Sequence, residues 1–269
     1  MTRIRRLPAP AMGLLACTLL AAGCRKEQQQ TVNVAGSTSV HPYVELLAGE
    51  YQKKHPGRKV DVQAGGSAAG LKAALSGMAD IGMCSRELKP EEAAQFNQVV
   101  IARDGVAVIV HPDNPVNALT TEQIRGMFSG RITNWKEVGG HDVPIRLVTR
   151  EEGSGTREAF VHLVMGQEEI LRGAMAQASN GALKAMVRTE PAAIGYMSLG
   201  QVGTDVKALR VDGQEPTAEG VLAGTYKLAR PFLFVTKGPP GADAQAFIDY
   251  VLSPEGQKAL EAEGFIRAR

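Results

Sequence analysis

The spacing of apolar positions along this chain switches repeatedly between a period of about two and one near 3.6, the mark of strands giving way to helices. Thr31 to Ala35 reads as a strand, and Ser39 to Lys54 follows with Val40, Tyr43, Val44, Leu47 and Tyr51 at helical spacing. The same order returns in Val60 to Ala64 followed by Ala68 to Met78. It returns again in Ala79 to Met83, followed by a short helix from about Lys89 to Asn97. Val106 to Val110 is a continuous apolar run, expected as a strand, and it stops at the breakers His111-Pro112-Asp113-Asn114-Pro115.

Beyond the breakers the pattern restarts. Thr120 to Phe128 predicts a helix with Thr120 or Thr121 as its N-cap, Ile145 to Thr149 a strand, and Thr156 to Met165 a helix. Ala193 to Met197 and Val206 to Arg210 are shorter strand candidates. Phe232 to Thr236 is an apolar strand bounded by Pro231 and Gly238, and Ala242 to Leu252 and Pro254 to Glu263 read as closing helices. No internal repeat or heptad run interrupts this order. Strands alternating with helices predict an α/β fold with mostly parallel sheets covered on both faces. A chain of 269 residues can bury two cores of ordinary size.

The N-terminus departs from that rhythm. Arg3, Arg5 and Arg6 precede an apolar stretch from Ala11 to Ala22, too short to span a bilayer comfortably, so residues 1–23 are expected to be a signal peptide. The stretch ends in Leu20-Ala21-Ala22-Gly23-Cys24, which resembles a bacterial lipobox with Cys24 as the lipidated residue, and residues 24–30 read as a polar tether. Taking that leader away changes the charge balance. The whole chain has 30 basic and 28 acidic side chains, but three of the basic ones lie in the leader, which leaves 27 and a charge near −1. That balance gives no support to nucleic-acid binding. Of the cysteines, Cys17 leaves with the leader and an acylated Cys24 leaves Cys84 without a partner, so no disulfide framework is expected.

Candidate chemistry collects at four predicted strand-to-helix junctions: Gly36-Ser37-Thr38-Ser39, Gly65-Gly66-Ser67-Ala68, Cys84-Ser85-Arg86-Glu87 and Gly153-Ser154-Gly155-Thr156-Arg157. Each places hydroxyls at or beside an expected helix start, where unpaired N–H groups and partial positive charge favour an anion. In open α/β sheets such junctions sit at the carboxyl ends of the strands, where ligands gather. Serine and threonine are also ordinary N-caps, so one such junction would mean little. Four glycine-adjacent ones, the last flanked by Arg150 and Arg157, point to an oxyanion.

Other readings find less to stand on. Gly153-Ser154-Gly155 lacks the Gly-x-Ser-x-Gly spacing of a nucleophile elbow, and Gly65 to Gly70 lacks the Gly-Lys-Ser/Thr of a phosphate loop, so an enzyme is not expected. His41, His55, His111, His141 and His162 show no metal-ligand spacing, and no metal or other cofactor is expected. Glu87, Glu91 and Glu92 suit a helix start as solvated charges, and Trp135 reads as a packing residue.

The order Ala35-Gly36-Ser37-Thr38-Ser39, Gly65-Gly66-Ser67, Ala79-Asp80-Ile81-Gly82 with Ser85-Arg86, and Arg150 to Arg157 resembles the phosphate-binding proteins of bacterial phosphate ABC transporters. Ala193-Ile194-Gly195-Tyr196 and Tyr226 to Pro231 extend the resemblance over nearly the whole mature chain. It implies a type II periplasmic-binding fold with two lobes joined by two crossings: residues 31–110, residues 111–228, and residues 229–269 returning to the first lobe. It also implies a monomer without enzymatic activity, extracytoplasmic and held to a membrane by its lipid, with inorganic phosphate and an ABC permease as partners.

Carried over by position, the ligand contacts fall on Thr38, Ser39, Ser67 and Ser85 from the first lobe, and on Arg150, Ser154, Gly155 and Thr156 from the second. In the best-known form of that family the residue after the third serine is an aspartate that accepts the proton of hydrogen phosphate and repels sulfate. Here it is Arg86, a pairing familiar from a shorter branch, and Arg86 either touches the ligand or pairs with a nearby carboxylate. A receptor for a sulfate-like oxyanion, and a sensor or adhesion lipoprotein on the same fold, are the alternatives.

Overall fold

A computed structural model of the chain describes residues 31–268, so the expected leader, Cys24 and tether lie outside the described residues. The chain opens with β1 (Thr31–Gly36), α1 (His41–Lys54), β2 (Lys59–Ala64), α2 (Ser67–Ser76) and β3 (Ile81–Cys84). β1 pairs in parallel with β2 on one side and β3 on the other. Only a short helix α3 (Pro90–Ala93) follows β3, because Asn97 onward is already extended.

β4 (Asn97–Val110) is a single long strand. Its first half pairs antiparallel with β11 (Ala229–Thr236), and from Val106 it pairs antiparallel with β8 (Ala193–Ser198). Between these lie β5 (Ala118–Leu119), α4 (Thr121–Ser129), β6 (Arg146–Arg150), α5 (Gly155–Phe160), β7 (Met175–Gln177) and α6 (Asn180–Thr189). β9 (Lys207–Ala208), β10 (Arg210–Val211) and α7 (Ala218–Leu222) lead back to β11, and α8 (Ala242–Leu252), α9 (Pro254–Ala262) and β12 (Ile266–Arg267) close the chain. The main sheet runs β2-β1-β3-β11-β4-β8-β6-β7. β1, β2 and β3 run parallel to one another, as do β6, β7 and β8, and every antiparallel pair involves β4 or β11. These two strands are the crossings.

Two cores flank them. One gathers β1, α1, β3, the later part of β11 and α8 around Val34, Leu47, Ile81, Phe234 and Phe247. The other gathers the second half of β4, α4, α5 and β8 around Val108, Phe128, Phe160 and Tyr196. Val106, Val108 and Val110 belong to the second core, and Ala107 and Ile109 point to the other side into a further cluster with Val148, Leu183 and Met197. The change of core therefore falls inside β4 near Gly105, several residues before the breaker run. Prolines mark where a strand ends, whereas a change of packing partner along an unbroken strand leaves no such mark.

Helix caps follow the local chemistry. Thr120 caps α4, its hydroxyl accepting from the Gln123 amide at 3.1 Å while Gln123 Oε1 accepts from the Thr120 amide, a reciprocal capping box. α5 runs on through a wider turn at Val161–Met165, which keeps Val164 and Met165 buried. The Phe160 ring stacks on Tyr196 with centroids 3.9 Å apart and meets Phe128 edge-on at 4.8 Å. Phe160→Ala should cost about 3–5 kcal/mol of stability, because the hole lies among rings that cannot collapse into it. Trp135, the one tryptophan, is buried in the same core, and its fluorescence in urea reads the loss. An unfolding midpoint equal to wild type would show that this ring cluster does not hold the second core.

Candidate oxyanion site between the lobes

The first-lobe junctions meet the start of α5 across the cleft. α2 can lie close on β1 and β3 because Gly70 has no side chain; a Cβ there would come within 2.7 Å of the Ala35 carbonyl oxygen and 2.8 Å of that of Met83. This approach sets Ser67, the first residue of α2, beside Ser85 at the end of β3. The Ser67 hydroxyl accepts the Ser85 amide at 3.1 Å, and the two hydroxyl oxygens are 3.3 Å apart. Both side chains are fully buried.

From the second lobe, Ser154 caps α5 by accepting from the Arg157 amide at 3.3 Å. Gly155 then presents its backbone to Ser67 and Ser85 so closely that a Cβ would lie 2.6 Å from Ser85 Oγ. Thr156 Oγ1 is 2.8 Å from Ser39 Oγ, a hydroxyl contact between the lobes. A second crossing contact is Arg150 Nη2 donating to Thr38 Oγ1 at 3.0 Å, and a third is the Ala68 amide donating to the Gly153 carbonyl at 3.1 Å.

All eight residues expected at the site therefore lie on its two faces, though not all in the expected setting. Ser39 precedes α1, whose helical turns begin at His41. Ser85 is four residues short of α3, so it offers its hydroxyl from a strand end and gains no helix dipole. Ser154 Oγ is engaged as a cap, which leaves Gly155 and Thr156 to face the first lobe. Arg150 is fully buried and held on many sides: Nε and Nη2 donate to Glu151 at 3.0 and 2.8 Å, Nη1 donates to Asn180 Oδ1 at 2.9 Å, and Nε donates to the Gln177 carbonyl at 3.0 Å.

Arg86 turns away from the hydroxyls. Its Nη1 and Nη2 donate to Glu92 at 2.6 and 2.9 Å, and Nε lies 2.8 Å from Glu158 of α5 as an ion-pair contact. Of the two roles open to it, the geometry supports carboxylate pairing. The hydrogen bond from Arg86 holds the Glu92 carboxyl below the usual carboxylate range. Burial pushes the Cys84 thiol up, so Cys84 is an inert neighbour. Burial likewise raises the Tyr196 phenol, whose oxygen is 2.6 Å from Thr149 Oγ1 and steadies the end of β6.

Asn180 and Arg230 also reach the hydroxyl cluster, and the junction pattern did not reveal them. Asn180 is buried and donates from Nδ2 to Ser39 Oγ at 3.0 Å and to Gln201 Oε1 at 2.8 Å. Its signal was present: Ser179 followed by Leu183, Met186 and Val187 at helical spacing marks a capped α6, and Ser179 Oγ does accept the Ala182 amide. Arg230 had no such signal, being a lone charge at the start of a strand.

Among the described residues no group of three or more His, Cys, Asp and Glu side chains could hold a metal ion, and no helix is long and apolar enough to cross a membrane. What the cleft can hold is a small anion. Buried hydroxyls and guanidinium nitrogens meet there from both lobes, and a desolvated oxyanion needs its oxygens hydrogen-bonded from all sides.

The model of the PBP superfamily domain matches residues 25–255. The Phosphate-binding protein PstS of Bacillus subtilis is 33% identical over 241 residues, covering 88% of this chain and 80% of that protein. Among solved structures, a Clostridium perfringens substrate-binding protein with bound phosphate superposes with a TM-score of 0.86 at 43% identity, covering 89% of this chain and all of that one. An ABC-type phosphate transport receptor from Vibrio cholerae superposes with a TM-score of 0.76 at 38% identity, covering 87% and 99%.

Proposed function

This chain belongs to the PBP superfamily, in its group of PstS phosphate-binding proteins, and from that premise we propose that it captures inorganic phosphate between its two lobes and delivers it to an ABC transporter permease. The family is one of substrate-binding proteins and not of enzymes. The observation that supports the reading most strongly is the meeting of Ser39 with Thr156 at 2.8 Å and of Thr38 with Arg150 at 3.0 Å, since each contact joins the two lobes at the hydroxyl cluster.

An anion lying among these groups bonds to both lobes at once. It therefore binds the closed state better than the open one and shifts the population toward closure. We assign the lobes to residues 31–105 with 229–268, and to residues 106–228. Thr38, Ser39, Ser67, Ser85, Arg150, Gly155 and Thr156 are the contacts, with Ser154 fixing the helix start beneath them. Each hydrogen bond to a charged ligand contributes about 1.5–3 kcal/mol, so a handful supports micromolar or tighter capture, near −8 kcal/mol. Cys24 is the lipidation site, and the protein works as a monomer tethered outside the cytoplasm.

The orientation of Arg86 favours a broader oxyanion receptor. Glu92 and Glu158 are committed to Arg86, and Glu151 to Arg150, so none of these carboxylates is left to accept the proton of hydrogen phosphate or to repel sulfate. The test is calorimetric titration of the purified protein, unfolded and refolded to strip bound anion. Phosphate is expected to bind, and sulfate to displace it at about millimolar concentration or below. Silence toward phosphate would overturn the function. Sulfate inert at ten times that level would show that hydroxyl oxygens alone discriminate.

A further inference from the structure

Arg230 sits on the returning crossing strand β11, directly opposite Asp104 on the outgoing strand β4. Nε and Nη2 donate to Asp104 Oδ2 at 3.0 and 2.8 Å, and each side chain is 1% exposed. Burial raises the Asp104 carboxyl above its ordinary range, and the neighbouring guanidinium opposes that rise. The other edge of the guanidinium faces the hydroxyl cluster. Nη1 donates to Thr156 Oγ1 at 2.8 Å and to the Ser85 carbonyl at 3.1 Å, and Nη2 comes within 3.5 Å of Ser39 Oγ. One side chain thus touches residues of both lobes at the strand where they join.

We infer that Arg230 is a second anion-facing cation of the cleft, aimed and partly neutralised by Asp104. The inference rests on the proposed phosphate-binding function. Three observations carry it. First, a buried ion pair is a poor device for stability alone, because desolvating both charges offsets most of their attraction. Second, Arg150 already spends Nε and Nη2 on Glu151 and neighbouring carbonyls, so much of its charge is balanced within its own lobe.

Third, the hydroxyls are polarised in one direction. Thr156 Oγ1 accepts from Arg230 and Ser39 Oγ accepts from Asn180, and one of these hydroxyls donates to the other across their 2.8 Å contact, so the second keeps its proton for an anion oxygen. Arg230 acts partly through Thr156 in this way and partly through its charge.

A purely structural role would be to pin the register of β4 against β11, and the test separates the two. Phosphate is titrated calorimetrically into wild type, Arg230→Lys, and the double variant Asp104→Asn with Arg230→Gln, which exchanges the ion pair for an uncharged amide pair. Trp135 fluorescence in urea checks the fold of each. The double variant is expected to stay folded and lose at least about thirtyfold in affinity, as for loss of a charged hydrogen bond, and the lysine variant, which keeps the charge, about three- to tenfold. A folded double variant that binds within threefold of wild type overturns the inference while the function stands. Should the double variant fail to fold, Arg230→Lys decides: unchanged affinity overturns the inference. Wild type silent toward phosphate overturns function and inference together.

Discussion

Gly155→Ala is expected to leave a folded protein that no longer closes on phosphate, with affinity reduced by about a hundredfold, the upper end of what an overpacked contact costs. The added Cβ would lie 2.6 Å from Ser85 Oγ and 2.9 Å from Ser67 Cβ, both on the opposite lobe. The three atoms nearest that Cβ all belong to the first lobe, so the open form is expected to tolerate the change and the approach of the lobes to suffer. Three measurements separate closure from folding. The urea midpoint of the anion-free variant should match wild type, the calorimetric affinity should fall, and solution scattering at saturating phosphate should keep the larger radius of the open form. An alanine variant that binds phosphate as wild type does would mean that α5 and the Ser67–Ser85 pair do not come this close around the ligand.

That prediction depends on a residue whose importance was visible only in part from the sequence. Gly155 stood out as a member of a glycine- and hydroxyl-rich junction, and all four junctions bring hydroxyls or backbone to the cleft, the third through Ser85 alone. The third does not supply a helix start, because the expected helix at Lys89 to Asn97 shrinks to four residues and β4 takes over. Apolar spacing over so short a stretch fits either period. The long strand β4 was also hard to read: Asp104 interrupts it with a buried charge, and its main partner lies 126 residues away on β11. Local pattern cannot announce a pairing of that kind. The same limit hid Arg230, while Asn180 was recoverable from its cap and helical spacing. The role of Arg86 turned on where Glu92 and Glu158 come to rest, and Glu158 reaches it from the other lobe.

Arg150→Ala is expected to have the largest effect of all, a loss of about a thousandfold in phosphate affinity, within the range for truncating one member of a buried, hydrogen-bonded charge pair. Arg150 is fully buried and carries the charge of Glu151 beside it. Removing the guanidinium deletes the cross-lobe bond to Thr38 and also leaves the Glu151 carboxylate facing the incoming anion without compensation. Repulsion should therefore account for a share of the loss that can be measured separately. The double variant Arg150→Ala with Glu151→Gln removes that carboxylate charge, and about tenfold of the affinity should return. The remaining deficit belongs to the lost donors toward Thr38 and the ligand. Raising ionic strength should narrow the gap between single and double variants, since screening weakens repulsion at the partly exposed Glu151 more than it weakens hydrogen bonds. A single variant within fivefold of wild type would sink the assignment of Arg150. A double variant no better than the single would place the whole loss in the missing donors, and Glu151 would then serve only to hold the arginine in place.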